Sequence, residues 1–150
     1  MRGSFQRSAL LAVSLEDVWA GLHDVDRLAS YSTHLGPVEN IDPGERWKTS
    51  LQDRVGLVKL SAPMEVAIVE ETHGERISIH ATGRDKGPGT RLVVEATVRL
   101  TESGPDTELD LEGTYELTGR ATRLGAAVAR RQAESMVEEF WANLTTDLVQ

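Results

Sequence analysis

Four histidines, one tyrosine and one aspartate are the residues of this sequence that we considered for acid–base or metal chemistry, because the other acidic residues with a clear periodicity point outward, and solvated carboxylates are poor acid–base catalysts. The histidines, His23, His34, His73 and His80, are scattered, and no two have the His-x-x-x-His spacing that places two ligands on one helix face. The sequence also has no Gly-x-Ser-x-Gly nucleophile motif and no cysteine. We therefore predict no catalytic residue set, no metal site and no bound cofactor.

Two polar residues, Tyr115 and Asp53, lie at strand positions that the alternation directs inward. The hydroxyl of Tyr115 would either bond a backbone carbonyl or be available to a carbonyl or hydroxyl group of a ligand. Asp53 faces inward if the alternation that starts at Trp47 continues; otherwise the strand ends before it and Asp53 caps a turn. Together with His34, these two residues are the acid or base candidates if the protein is an enzyme.

Most of the inward positions are apolar and could form the wall of a pocket. The predicted ligand-binding residues are Trp47, Leu51, Met64, Val66, Ile79, Val94, Leu111, Tyr115, Met136, Val137, Phe140 and Trp141. Apolar residues with few convergent polar groups are typical of sites for hydrophobic small molecules. Large aromatic side chains are equally typical of a filled core, and the sequence leaves both interpretations open.

The element that would close such a pocket is a long amphipathic helix, predicted over residues 122–148. Its apolar residues recur at spacings of three and four, which places them along one stripe. The opposite face carries the charged residues Arg130, Arg131, Glu134, Glu138, Glu139 and Asp147. At 1.5 Å per residue the helix is about 40 Å long, so a sheet of similar length must cover its apolar stripe.

The rest of the chain predicts that sheet and two short helices. A strand at residues 5–13 precedes helices at residues 15–23 and 24–28, with Ser14 and Asp24 as N-caps. About six strands with alternating polarity follow, joined by connections of hairpin length. This order predicts an α+β fold in one domain, residues 1–150, in which a curved antiparallel sheet of about seven strands wraps around the C-terminal helix.

The formal charge of −8 comes from 16 basic and 24 acidic residues. Such a balance argues against nucleic acid as a partner and against general adhesion to anionic membranes. The local exception is a set of arginines, Arg120, Arg123, Arg130 and Arg131, which fits a solvated face or a rim that meets an acidic partner or an anionic lipid head group.

The predicted location is the cytoplasm. The absence of cysteine fits a reducing compartment. The sequence begins without the apolar run of a signal peptide and contains no apolar stretch long enough to span a membrane.

Several short stretches match the pattern of a known family. They are Val-Ser-Leu-Glu-Asp-Val-Trp at 13–19, Leu-His-Asp at 22–24, and Glu-Phe-Trp-Ala-Asn-Leu at 139–144. With the order of elements, they resemble the helix-grip fold of the START-like (SRPBCC) superfamily and, within it, the carbon monoxide dehydrogenase G-subunit family. The likeness covers nearly the whole chain, but these motifs are structural, and the family's Pro-Gly-Cys after the second helix is replaced by Ser-Thr-His-Leu-Gly at 32–36.

The resemblance implies a protein that binds a hydrophobic small molecule, such as a quinone, lipid, isoprenoid or polyketide-like compound, between sheet and helix. It also implies an oxidoreductase or membrane-associated protein as partner. The alternative on the same fold is a polyketide cyclase/dehydratase-like enzyme that would use Tyr115, Asp53 or His34. A third hypothesis, an interaction protein with a filled core, requires that the aromatic residues pack the interior solid.

Overall fold

The described strands form one antiparallel sheet that curves around the C-terminal helix. A computed structural model describes residues 1–55, 58–85 and 89–150. The strands are β1 (Arg2–Leu11), β2 (Glu39–Asp42), β3 (Arg46–Val55), β4 (Val58–Thr72), β5 (Arg76–Arg84), β6 (Arg91–Ser103) and β7 (Asp106–Thr118). Their spatial order is β1-β7-β6-β5-β4-β3-β2, with every neighbouring pair antiparallel. The predicted helix-grip fold is confirmed.

Two short helices follow β1 and begin at the predicted caps. They are α1 (Leu15–Leu22) and α2 (Val25–Ala29). Ser14 Oγ accepts a hydrogen bond from the Asp17 amide at 3.3 Å, and Asp24 Oδ1 accepts one from the Arg27 amide at 3.3 Å. Each cap satisfies an amide that the first helical turn leaves without a partner.

The long helix, α3 (Ala126–Leu148), begins four residues later than the apolar periodicity predicts. Residues Arg120–Leu124 form a separate 3-10 turn, and Gly125 follows with a φ of 101°. Because a right-handed helix cannot contain that backbone conformation, Gly125 separates the two segments. The prediction of a helix from residue 122 is therefore wrong, and the 23 residues of α3 span about 34 Å.

Alternation along β7 separates a buried face from an exposed one, as predicted. Leu109, Leu111 and Leu117 are buried, whereas Glu108 and Glu112 are exposed. The buried face of the sheet is turned toward α3 and packs against the apolar stripe of that helix.

The largest cluster of buried apolar side chains in the described interior lies where α1 and the C-terminal half of α3 meet the sheet. Its fully buried members include Val18 of α1, Leu109 of β7 and Leu144 of α3. Within the described ranges, no helix is both long and apolar enough to cross a membrane.

Candidate ligand-binding cavity

A cavity of about 360 Å³ remains between the sheet and α3. The strands β3 to β7 supply most of one wall, and α3 supplies the opposite wall through Met136, Val137, Phe140, Trp141 and Leu144. Leu22 of α1 and Leu28 of α2 line it as well. The filled-core hypothesis requires that the aromatic residues pack the interior solid. The cavity shows that they do not.

Ten of the twelve predicted ligand-binding residues lie around this cavity. They are Leu51, Met64, Val66, Ile79, Val94, Leu111, Met136, Val137, Phe140 and Trp141. They come together because the strand alternation and the helical stripe both turn their apolar side inward. Their role as ligand contacts stays a prediction.

Tyr115 lies outside the lining, although its strand position faces inward. Its direct partner in the sheet is Gly3 of β1, and a methyl group placed on Gly3 would lie 2.3 Å from the ring carbon Cζ. The ring therefore rests on the glycine at the β1 side of the sheet. Burial raises the pKa of the Tyr115 hydroxyl, and no described residue accepts a hydrogen bond from it.

Trp47 is buried but also lies outside the lining. It pairs with Asn40 of β2 and Val66 of β4, near the β2 edge of the sheet. The cavity reaches β3 only at Thr49 and Leu51 among the described residues. Alternation gives the face on which Trp47 lies but not how far along the strand the cavity extends.

Phe5 of β1 lines the cavity, and the sequence analysis did not select it. Its direct partner is Gly113 of β7, and a methyl group on that glycine would lie 2.3 Å from Phe5 Cζ. Here the ring covers the space that the glycine leaves empty. The available signal was Gly113 itself, a missing side chain in an otherwise apolar inward series.

The other acid–base candidates contribute no titratable group to the described lining. His34 is half-buried, and its Nδ1 lies 3.3 Å from the Gln52 carbonyl oxygen. The strand β3 continues through Asp53 to Val55, so the interpretation of Asp53 as a turn cap after the strand is wrong. The side chain of Asp53 lies outside the described part of the chain.

The polar side chains of the lining are Ser32 and Thr49. Thr49 Oγ1 donates a hydrogen bond to the Gly36 carbonyl at 2.9 Å, and Ser32 Oγ accepts one from the His34 amide at 3.2 Å. Both hydroxyls are thus used to hold the loop after α2. Because the rest of the wall is apolar among the residues that the structure describes, the cavity suits an apolar guest rather than a hydrogen-bonding one.

The comparison with known families identifies the chain. A family model for the carbon monoxide dehydrogenase G subunit (CoxG) matches residues 8–149. The chain belongs to this family. The resemblance noted in the sequence is confirmed, and a search of curated proteins found no match.

Solved structures show that this CoxG-family chain shares its fold with other START-like proteins. A conserved protein from Geobacillus kaustophilus has a TM-score of 0.82 at 19% identity, covering 99% of this chain and 95% of that one. A START superfamily protein from Mycobacterium smegmatis has a TM-score of 0.72 at 11% identity, with 97% and 96% covered. The di-domain ARO/CYC BexL from the BE-7585A biosynthetic pathway gives 0.64 at 16% identity, with 99% and 49% covered. At these identities the likeness concerns the fold alone.

In this member of the CoxG family, α2 and the loop after it are held on α3 by three polar side chains spaced four residues apart. Glu139 accepts a hydrogen bond from the Thr33 amide at 2.6 Å, and Asn143 donates one to the Tyr31 carbonyl at 2.8 Å. Asp147 pairs with Arg27 and accepts a hydrogen bond from the Tyr31 hydroxyl. This α2–α3 contact fixes the segment from which Leu28, Ser32 and Leu35 line the cavity.

The electrostatics of the α2–α3 contact favour ionised carboxylates. The hydrogen bond from the Thr33 amide holds the pKa of Glu139 below its usual range, and that from Arg27 does the same for Asp147. Burial, followed by the hydrogen bond to Asp147, raises the pKa of Tyr31 to about 12. Both carboxylates are therefore charged, and Tyr31 is neutral, at neutral pH.

The double variant E139Q/D147N is expected to have a Tm several degrees below that of the wild type at neutral pH. Its Tm should also fall less than that of the wild type when the pH is lowered. A lowered folded-state pKa means that the stabilisation is complete above the unfolded values of 4.5 and 3.8 and is lost as pH falls through the folded values. Thermal unfolding followed by circular dichroism between neutral pH and pH of about 3 measures both effects. The control E102Q/E108Q removes two exposed carboxylates with no described ion pair. Equal pH dependence in both variants would contradict the assignment.

Proposed function

We propose that this protein binds a hydrophobic small molecule, such as a quinone, lipid, isoprenoid or polyketide-like compound, in the cavity between the sheet and α3. The observation that carries the proposal is an unfilled space of about 360 Å³ in whose described lining the two polar side chains, Ser32 and Thr49, already have partners within the protein. Sites for small molecules have volumes of about 300 to 1,000 Å³ and predominantly apolar walls. The guest is held by burial of apolar surface, at about 25 cal/mol per Å².

The family name supports a role as an accessory protein to an oxidoreductase, to which a carrier of an apolar redox compound would be suited. That role, and a cytoplasmic location supported by the lack of cysteine, stay predictions. A cyclase on this fold would need at least two titratable groups near the bound substrate. Neither Tyr115 nor His34 lines the cavity, so binding without catalysis is the better-supported function.

Tryptophan fluorescence offers a direct test because the three tryptophans occupy different places. Trp141 lines the cavity, whereas Trp19 packs against His23 and His73 and Trp47 lies near the β2 edge. A spin-labelled fatty acid or a short-chain quinone quenches tryptophan at close range. Saturable quenching is expected in the wild type and in Trp19→Phe, and most of it should disappear in Trp141→Phe.

Native mass spectrometry of freshly purified protein complements the titration by detecting cargo acquired in the cell. If the protein arrives empty and neither probe quenches Trp141 at saturable concentrations, the binding function is wrong. Equal loss of quenching in the two tryptophan variants would place the probe outside the cavity.

A further inference from the structure

Two of the three sulfur atoms in this chain border the cavity. The sequence contains three methionines and no cysteine. Met64 of β4 and Met136 of α3 line the space between the sheet and the helix. Met1 lies outside the described lining and packs against the cluster of Leu117 and Ala129. The proposed function uses Met64 and Met136 only as apolar wall, so it assigns no role to their sulfur atoms.

The two cavity methionines border the same part of the cavity from opposite walls. Met64 is 7% exposed and belongs to a buried cluster with Leu51 and Ala81. Met136 is half-buried and packs against that cluster from α3. A ligand in this part of the cavity therefore lies between two thioethers.

The thioether of Met64 extends over a glycine of the neighbouring strand. Met64 pairs directly with Gly83 of β5. A methyl group on Gly83 would lie 2.9 Å from Met64 Cγ and 3.6 Å from Met64 Sδ. The thioether therefore occupies space that a side chain at position 83 would fill. This packing gives the otherwise flexible methionine side chain a defined place in the cavity wall.

Sulfur is the reactive side-chain atom that the described lining presents. Among the described residues the lining contains no titratable group, and the hydroxyls of Ser32 and Thr49 have partners within the protein. A thioether needs neither a base nor ionisation, because peroxides oxidise its sulfur directly to the sulfoxide. The described lining is therefore suited to oxygen transfer and not to acid–base chemistry.

Burial determines which peroxides reach these two sulfur atoms. Hydrogen peroxide is hydrophilic and acts from the solvent, from which Met64 is almost entirely shielded. An organic hydroperoxide with a hydrocarbon body gains free energy by entering an apolar cavity, and the cavity then holds it beside the thioethers. The apolar wall and its burial thus select the same class of reactant.

We propose that Met64 and Met136 form an oxidation site for apolar organic hydroperoxides. The site depends on the proposed function, because the peroxide must enter the same cavity. The sulfur lone pair attacks the terminal oxygen of the hydroperoxide ROOH, an S–O bond forms and the O–O bond breaks. The proton of the terminal oxygen passes to the departing oxygen, which leaves as the alcohol ROH. The sulfur loses the two electrons that the peroxide gains, so methionine sulfoxide and the alcohol are the complete products.

Sulfoxide formation also changes what the cavity can hold. The new oxygen is a hydrogen-bond acceptor in a wall whose described polar side chains, Ser32 and Thr49, are already engaged. A polar group without a partner lowers the affinity of an apolar site for an apolar ligand. Oxidation of the two methionines therefore favours release of the ligand, and enzymatic reduction of the sulfoxides restores the cavity.

Mass-spectrometric peptide mapping after treatment of the folded, intact chain measures oxidation at each methionine separately. The protein is treated with cumene hydroperoxide, which is apolar, or with hydrogen peroxide, and the two oxidation rates are expressed as a ratio for each residue. This ratio is expected to be at least about tenfold higher for Met64 and Met136 than for Met1, because the cavity holds the apolar peroxide beside their sulfur atoms. Palmitate, a ligand without a peroxide group, should slow oxidation of the two cavity methionines and not that of Met1.

A second measurement tests the consequence for binding. Quenching of Trp141 by a spin-labelled fatty acid is titrated before and after treatment with cumene hydroperoxide, and the affinity of the wild type should fall by roughly tenfold. The variant M64L/M136L removes both sulfur atoms with little change in side-chain volume, so its affinity should be the same before and after treatment. Because this variant keeps Met1, it also shows whether oxidation of Met1 affects binding. Circular dichroism shows whether each protein is folded.

The oxidation site is wrong if the three methionines have equal ratios, if palmitate gives no protection, or if the fully oxidised wild type keeps its affinity. The untreated protein tests the proposed function by itself. Saturable quenching of Trp141 together with any of these three results would leave the cavity a binding site and refute the oxidation site alone.

Discussion

Val94→Phe is expected to weaken the binding of an apolar ligand by roughly fifteenfold while the protein stays folded. Val94 lies on the inner face of β6 opposite Ala81, and both residues line the cavity. The added ring would occupy ligand space. Excluding two methylene groups of a ligand costs about 1.6 kcal/mol at about 0.8 kcal/mol for each buried CH₂, which corresponds to that factor.

The neighbouring residue provides the matched control. Val93 is half-buried on the opposite face of the same strand, beside Thr114 and Glu116 rather than α3. Val93→Phe adds the same atoms on that face, so it should leave the affinity unchanged. Titration of Trp141 quenching measures both variants, and thermal unfolding shows whether each is folded. If Val93→Phe weakens binding as much as Val94→Phe does, the ligand is not between the sheet and α3.

The part of the fold that sequence predicts well depends on periodicity. Alternation along β7 and the helical stripe of α3 give both the elements and their buried faces, because burial of apolar surface is what selects those patterns. The residues at which an element begins and ends are predicted less well than the element itself. In the sequence, Leu124 and Val128 belong to the same apolar stripe. In the structure, the backbone conformation of Gly125 separates the 3-10 turn that contains Leu124 from α3, which contains Val128.

The candidate site is predicted less completely because side-chain direction depends on residues from distant parts of the chain. Tyr115 and Phe5 both lie on the inner face, and the direction of each ring depends on the glycine opposite it. Those glycines can be identified only when the strand register is known. The charged face of α3 is a second example. Glu139 and Asp147 have the spacing of a solvated face, yet they hold α2 in place because that short helix packs beside them.

Leu109→Ala is expected to lower the free energy of unfolding by about 3 to 5 kcal/mol, whereas Met136→Ala should lower it by less than about 2 kcal/mol. Leu109 has 0% exposure and belongs to the packed cluster with Leu11 and Leu100, so its truncation leaves a new void. Met136 is half-buried and already borders empty space, so its truncation enlarges an existing cavity and admits a longer ligand. Urea unfolding with linear extrapolation measures both free energies. Equal losses would mean that the interior is uniformly packed, and the space between the sheet and α3 could then not serve as a binding cavity.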